Sequence, residues 1–330
     1  MDPGDPQIPP QLLPASLGRG QGDLQGDAAP APGGPPPPPS VSLPTGGGAI
    51  RDIGEKFAVN AATGTAGLRV PVATSPGRAG SGPALSLVYD SGAGNGPFGL
   101  GWKIALPAIT RKTDKGLPRY QDDPDQDTFI LSDAEDLVPF RAERDGRWEQ
   151  VAERRTVAGK HYAVQHYRPR IEGLFARIER WHDLGSGQTH WRSISASNVT
   201  TIYGATADSR IADPADPARV FSWLICENYD DTGNAAVYEY QPEDSAGVDD
   251  SVANERNRTE RSRSAQRYPK RIRYGNRAPR WAADHHLRPG SRDNADWMFE
   301  VVFDYGDHDE RTPQPDPSRS WPCRPVLFRP

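Results

Sequence analysis

The chain has 330 residues and lacks most of the features that announce a function directly. It has only two cysteines, Cys226 and Cys323, far apart. Two cysteines in a chain of this size do not make a disulfide framework, so they read as free thiols. No stretch approaches the run of roughly 20 apolar residues that a spanning helix needs, which excludes membrane insertion by such a helix. The start, Met1-Asp2-Pro3-Gly4-Asp5, is acidic and no apolar segment follows it, so a classical signal peptide is missing. A product of this sequence is expected in the cytoplasm of the producing cell, with any secretion by another route. Charge of one sign is missing too: 39 basic and 44 acidic side chains leave a net charge of −5. That balance gives the whole chain no preference for nucleic acid or a membrane surface.

Catalytic and metal-binding signatures are equally scarce. The seven histidines include no His-Glu-x-x-His, and there is no Cys-x-x-Cys and no Gly-x-Ser-x-Gly elbow. His285 and His286 are adjacent, which on a strand sends them to opposite faces. His166, His182 and His190 fall among expected strands and read as surface or core histidines. No catalytic, cofactor-binding or metal-ligating residue is assigned, and no cofactor is expected. Long helices are absent as well, since nothing between 42 and 330 carries a sustained apolar stripe of period 3.6.

What is abundant is glycine and proline, 33 and 34 residues respectively, which punctuate a chain too often for long helices. Residues 1–40 hold 12 prolines, seven glycines and no aromatic residue. With so little to bury, residues 1–42 read as a disordered leader with polyproline character rather than as a recognition segment. From residue 43 to 330 short apolar stretches alternate with turn residues, the pattern of an all-β domain of many short antiparallel strands. Leu68, Val70 and Val72 alternate with polar or turn-forming neighbours, as do Leu85, Leu87 and Tyr89, and Trp102, Ile104 and Leu106. Trp297, Phe299, Val301, Phe303 and Tyr305 share one face of an extended segment. Val220 to Cys226 is apolar on both faces, as a central strand covered on two sides would be. Asp231-Thr232-Gly233-Asn234 interrupts 220–240 and predicts a β-hairpin, while 251–267 reads as loop.

Three motifs have a sharp and a plain reading. Gly94-Asn95-Gly96-Pro97-Phe98-Gly99 matches the dinucleotide fingerprint in letters, but a strand rather than a helix follows it, so it reads as a hairpin loop. Asp123, Asp125 and Asp127 begin like a calcium loop, yet Thr128 and Ala134 stand where glycine and glutamate are required. They read as an acidic loop. Residues 256–280 contain ten Lys or Arg and one acid, Glu260. Without groove-reading or stacking context, that stretch reads as a solvated or partner-docking patch and not as a nucleic-acid site.

Longer blocks carry a resemblance. Leu43-Pro44-Thr45-Gly46-Gly47-Gly48-Ala49-Ile50-Arg51-Asp52-Ile53-Gly54-Glu55-Lys56-Phe57 resembles the opening of the family that joins Salmonella virulence plasmid B proteins (SpvB) with the B components of insecticidal Tc toxins. The similarity continues through Pro71-Val72-Ala73-Thr74-Ser75-Pro76-Gly77-Arg78, Tyr89 to Gly99, Ile109 to Pro118, Ala134 to Pro139, Asn228 to Asn234, Glu255-Arg256-Asn257-Arg258 and Asp304-Tyr305-Gly306. It covers roughly 43–325. The resemblance implies the first part of a hollow β-shell, built with a C component around a toxic enzyme and docked to a pore-forming A component. In SpvB the equivalent region precedes an actin-modifying ADP-ribosyltransferase. Such a transferase needs a Glu-x-Glu pair, and the family-like region has none. Family members continue well past the position of Pro330, so the later shell, the propeller and the transferase are expected outside this chain.

The expected function is therefore a non-catalytic, structural portion of a toxin or virulence protein, whose partners are the Tc A and C components and the rest of the B shell. Two alternatives stand beside it: part of an actin ADP-ribosyltransferase toxin without its catalytic domain, and a carbohydrate-binding β-module suggested by the eight tryptophans. Tryptophans buried in a core are the plainer explanation of that number.

Overall fold

The computed structural model describes residues 56–60, 64–120, 127–131, 135–171, 173, 175–245, 248–253, 255–280, 296–309 and 311. The expected leader, Asp123, Asp125, His285, His286 and Cys323 lie outside them. The strands in chain order are β1 (Lys56–Asn60), β2 (Thr65–Val72), β3 (Leu85–Asp90), β4 (Asn95–Gly96), β5 (Gly99–Leu100), β6 (Trp102–Ile104) and β7 (Ala108–Arg111). Then come β8 (Phe129–Leu131), β9 (Glu135–Pro139), β10 (Arg141–Arg144), β11 (Arg147–Gln150), β12 (Ala152–Val157), β13 (Lys160–Pro169) and β14 (Arg177–Asp183). The remainder are β15 (Thr189–Ile194), β16 (Thr200–Tyr203), β17 (Arg210–Asp213), β18 (Asp216–Tyr229), β19 (Ala235–Pro242), β20 (Arg267–Asn276) and β21 (Trp297–Val302). The all-β expectation holds.

The strands form one closed barrel with two attached sheets. Antiparallel pairing runs β16-β15-β14-β13-β9-β8-β7-β18, and β16 pairs back onto β18, so eight strands close on themselves. Eight strands give a lumen that side chains can fill. The period-two alternation supplies them: Phe129, Tyr167, Trp191, Tyr203 and Trp223 point inward with Ile109, Leu137, Ile178 and Ile225. The Phe129 ring sits 4.9 Å from Trp191, 5.8 Å from Trp223 and 6.0 Å from Tyr167 in edge-to-face contacts. Burying rings of this size is the main source of stability in so compact a core.

β18 is the branch point. One of its edges is shared end to end by β17 and β16, the other by β7 and β19. From β19 the sheet continues to β20 and β21 outside the barrel. β18 is covered on both faces, as its sequence suggested: Trp223 and Ile225 face the main core, while Cys226 joins Ile202, Tyr229 and Ala235 in a second cluster. Cys226 is a buried thiol outside any disulfide, donating to the Ile202 carbonyl at 3.4 Å. A separate four-stranded sheet, β1-β2-β3-β6, comes from the early strands.

Two expectations need correcting. Residues 260–263, expected as loop, make one helical turn (α1, Glu260–Arg263), because Thr259 and Ser262 cap each other's backbone reciprocally. Trp297 to Tyr305 is not one continuous face. Phe299, Val301 and Phe303 pack on the main core, but Trp297 joins the second cluster, and the strand ends at Val302. Gly275 on β20 is left-handed, yet the pairing of β20 with β21 keeps one register from Arg271–Val302 to Asn276–Trp297. Tyr305 is buried beyond the strand, donating its hydroxyl to the Pro269 carbonyl at 2.8 Å. No helix among the described residues is long and apolar enough to cross a membrane.

Candidate functional site

Most of the suggestive motifs turn out to hold the fold together. The glycine-rich motif is the β4–β5 hairpin, and it presents Phe98 to Phe303 and Tyr305 at ring separations of 6.3 and 6.2 Å. A Cβ on Gly96 would lie 2.5 Å from the Trp102 carbonyl oxygen, so the glycine serves close backbone approach and not a pyrophosphate. Asp127 is committed to the barrel mouth. It pairs with buried Arg111 at 2.5 Å and accepts the backbone N–H groups of Arg119 and Tyr120 at 3.0 Å each. Arg111 in turn lies over the rings of Phe129 and Trp223.

The turn at 230–234 has a local cause. Asp230 accepts from the Thr232 and Asn234 backbone N–H groups at 3.0 and 2.9 Å, and from the Asn234 side chain at 2.8 Å. Although burial opposes it, these hydrogen bonds hold the Asp230 carboxyl below its usual range. Asn276 locks the turn to β20 by donating to the Gly233 carbonyl at 2.8 Å and accepting from Ala235 N–H.

The basic stretch is neutralised from within. Arg258 meets Glu243 at 2.7 Å, Arg263 meets Glu255 at 3.0 Å, and Lys270 meets Asp307 at 2.7 Å. Arg271, Arg273, Arg277 and Arg280 pair with Glu300, Glu239, Asp296 and Glu227. Apart from Glu255, which directly precedes the stretch, the acids come from distant sequence and a count over 256–280 does not include them. A polyanion would have to break these pairs, which removes the charge argument for nucleic acid.

Sequence reading missed one polar cluster on the outer wall. Glu153 on β12, His166 on β13 and Glu179 on β14 bring ligand atoms within 4.8 Å of one another. His166 Nε2 is 3.0 Å from Glu153, and Glu179, 1 % exposed, accepts from Trp181 Nε1 at 2.9 Å. Cations already occupy the site: Arg155 pairs with Glu153 and reaches Glu179 at 3.6 Å, and Arg177 Nε lies 3.0 Å from Glu179. Their charge compensates both carboxylates, so the cluster does not call for a metal ion. The alternation of polar residues along β13 and β14 was its one visible sign. Beside it, His190 stacks on Trp181 at 5.8 Å, with the Arg192 guanidinium 3.7 Å from the same indole. The tryptophans expected in a core are there: Trp181, Trp191 and Trp223 are among the largest fully buried side chains.

What remains open is strand edges. Among the described residues β1, β4, β5, β6, β10, β11, β12, β17 and β21 each pair on one side only. β21 ends the sheet that leaves the barrel, with Met298 and Glu300 exposed along it. An unpaired strand edge presents a row of backbone donors and acceptors to which another strand can add.

The family model for the Salmonella virulence plasmid 65 kDa B protein matches residues 60–329. The chain belongs to the SpvB family. It is 35% identical over 268 residues to the mono(ADP-ribosyl)transferase SpvB of Salmonella choleraesuis (strain SC-B67), a match covering 81% of this chain and 42% of that protein. The chain thus spans less than half the length of the curated relatives it matches. The solved N-terminal domain of the effector SpvB from Salmonella typhimurium strain LT2 superposes with a TM-score of 0.63 at 33% identity, covering 76% of this chain and 79% of that one. The TcdB2–TccC3 crystal structure gives a TM-score of 0.68 at 34% identity over 86% of this chain and 13% of its counterpart. The chain therefore corresponds to the N-terminal domain of SpvB and to a small part of a Tc-toxin B–C complex. The resemblance read from the sequence blocks is correct.

Proposed function

We propose that this protein is a non-catalytic wall segment of an SpvB- or Tc-B-like toxin, contributing the first part of a β-shell that encloses or delivers a toxic enzyme. The observation that carries this is the superposition on TcdB2–TccC3 across 86% of the chain. The open edge of β21 and the internally neutralised charge of β20 support it. In this reading residues 43–330 are the shell domain and 1–42 a flexible leader. Its partners are the remaining shell sequence, a C component and, through the complete B chain, an A component. The protein is made in the cytoplasm and released by a route that uses no classical signal peptide.

The test is a chimera in which this β-domain replaces the matching segment of TcdB2, co-expressed with TccC3. Co-purification of a closed B–C particle is expected. A chimera that is soluble and folded yet leaves TccC3 unbound overturns the reading. Labelled-NAD transfer to actin by the present chain is expected to stay at background, and incorporation above it would favour the transferase reading instead.

A further inference from the structure

The β10–β11 hairpin belongs to neither the barrel nor the extended sheet. β9 and β12 lie end to end along one edge of β13, and the hairpin leaves the wall between them. Its root is fixed by backbone bonds: Phe140 N–H to the His166 carbonyl at 2.8 Å, Val151 N–H to Phe140 at 2.7 Å, and His166 N–H to Val151 at 3.0 Å. Its tip is Asp145-Gly146, both left-handed at φ 51° and 75°, as the tight turns that suit strand twist require. The result is a preformed arm with almost every side chain from 141 to 150 in solvent. A two-stranded hairpin with no packing partner is marginal by itself.

Its side chains are arranged unlike the rest of the surface. Arg144 lies directly opposite Arg147, and opposed like charges across a hairpin are unfavourable. Among the described residues neither arginine has a carboxylate partner, whereas Arg271, Arg273, Arg277 and Arg280 each have one. Next to Arg147 stands Trp148, 66% exposed. Tryptophan and arginine are the residue types that most often dominate interface energies. Successive strand residues project to opposite faces, so one partner can reach both Arg147 and Trp148 only by running along the outer edge of β11.

We propose that β11 is a docking edge for an extended acidic segment of another protein, which adds as a strand with a carboxylate opposite Arg147 and an apolar side chain beside Trp148. The carboxylate relieves the Arg144–Arg147 repulsion, backbone hydrogen bonds supply the pairing, and alternation sets the specificity. The arm's own charges exclude a simple polyanion, because its ten residues carry three arginines and three acids, Glu143, Asp145 and Glu149. The proposal stands on the hairpin and not on the shell reading.

The probe is the peptide acetyl-Thr-Val-Thr-Val-Glu-Val-Thr-amide titrated into the full chain, its single carboxylate set against Arg147 and none against Asp145 or Glu149. The readout is the indole N–H resonance of Trp148, assigned by its loss in the Trp148→Phe variant. Saturable shifting of that resonance is expected, weakened at least fivefold in the Arg144→Ala/Arg147→Ala double variant and in the peptide with Lys for Glu. A resonance unmoved at millimolar peptide overturns the proposal. So does equal binding by the double variant or the lysine peptide, or tighter binding of a single-stranded oligonucleotide.

Discussion

His190 gives the fold a specific sensitivity to acid. Burial, and then the neighbouring charges of Arg192 and Arg210, push its imidazole down from 6.5 to about 3. Its Nε2 is also the acceptor for Arg192 Nε at 3.4 Å, a role that only the neutral ring can fill. The folded ring thus stays neutral over a range in which the unfolded chain binds a proton. By linkage, stability is whole above pH 6.5, falls as the pH drops below it, and levels off near pH 3. At pH 5 the gap is about 1.5 pH units, or roughly 2 kcal/mol at about 1.36 kcal/mol per unit. His190 is only partly buried, and solvent screening reduces the expected loss to about 1 kcal/mol. The assay is urea unfolding at pH 7.5 and pH 5, for the parent chain and for His190→Gln, whose amide oxygen can still accept from Arg192. Carboxylates add their own pH dependence to both proteins, so the readout is the difference between the two. The parent should lose about 1 kcal/mol more than the variant between the two pH values. Equal losses would refute the reasoning.

Three further outcomes follow from the packing. Trp191→Ala removes the ring that touches Phe129, Tyr167 and Trp223 inside the barrel, and should lower unfolding free energy by about 3–5 kcal/mol in a denaturant titration. Glu255→Ala removes the buried carboxylate 3.0 Å from Arg263 Nε while Asp250 still pairs with that guanidinium at 2.7 Å; a loss of about 2 kcal/mol is expected, read from the same titration. Gly101→Ala puts a Cβ 2.6 Å from the Tyr89 ring at a φ of 78°, and should lower the melting temperature in calorimetry by several degrees, whereas Gly146→Ala, with open space at its Cβ, should cost less.

The fold was legible where chemistry is local. Alternation along β2, β3 and β6 gave strands, Gly233 gave the β18–β19 turn, and the apolar run around Trp223 gave a strand covered on both faces. Barrel closure was not legible, because it depends on the β16–β18 pairing, which local periodicity does not encode. The one-turn helix was missed because its cause is a capping exchange between Thr259 and Ser262, not an apolar stripe. The wall cluster was missed because Glu153 and Glu179 are 26 residues apart and meet only through the register of β12, β13 and β14.

The basic stretch shows how a composition signal can invert once folded. Read along the chain, 256–280 is the strongest charge feature; in space seven of its ten cations meet an acid. Residues 141–150 have no net charge and no composition signal, yet their strand geometry sets Arg144 against Arg147 and leaves Trp148 in solvent. Net charge over a window measures what the unfolded chain offers a partner. What the folded chain offers is the charge its own register fails to satisfy. By that measure the open ground among the described residues is the β10–β11 arm, and a recognition role is to be sought there rather than in the arginine-rich segment.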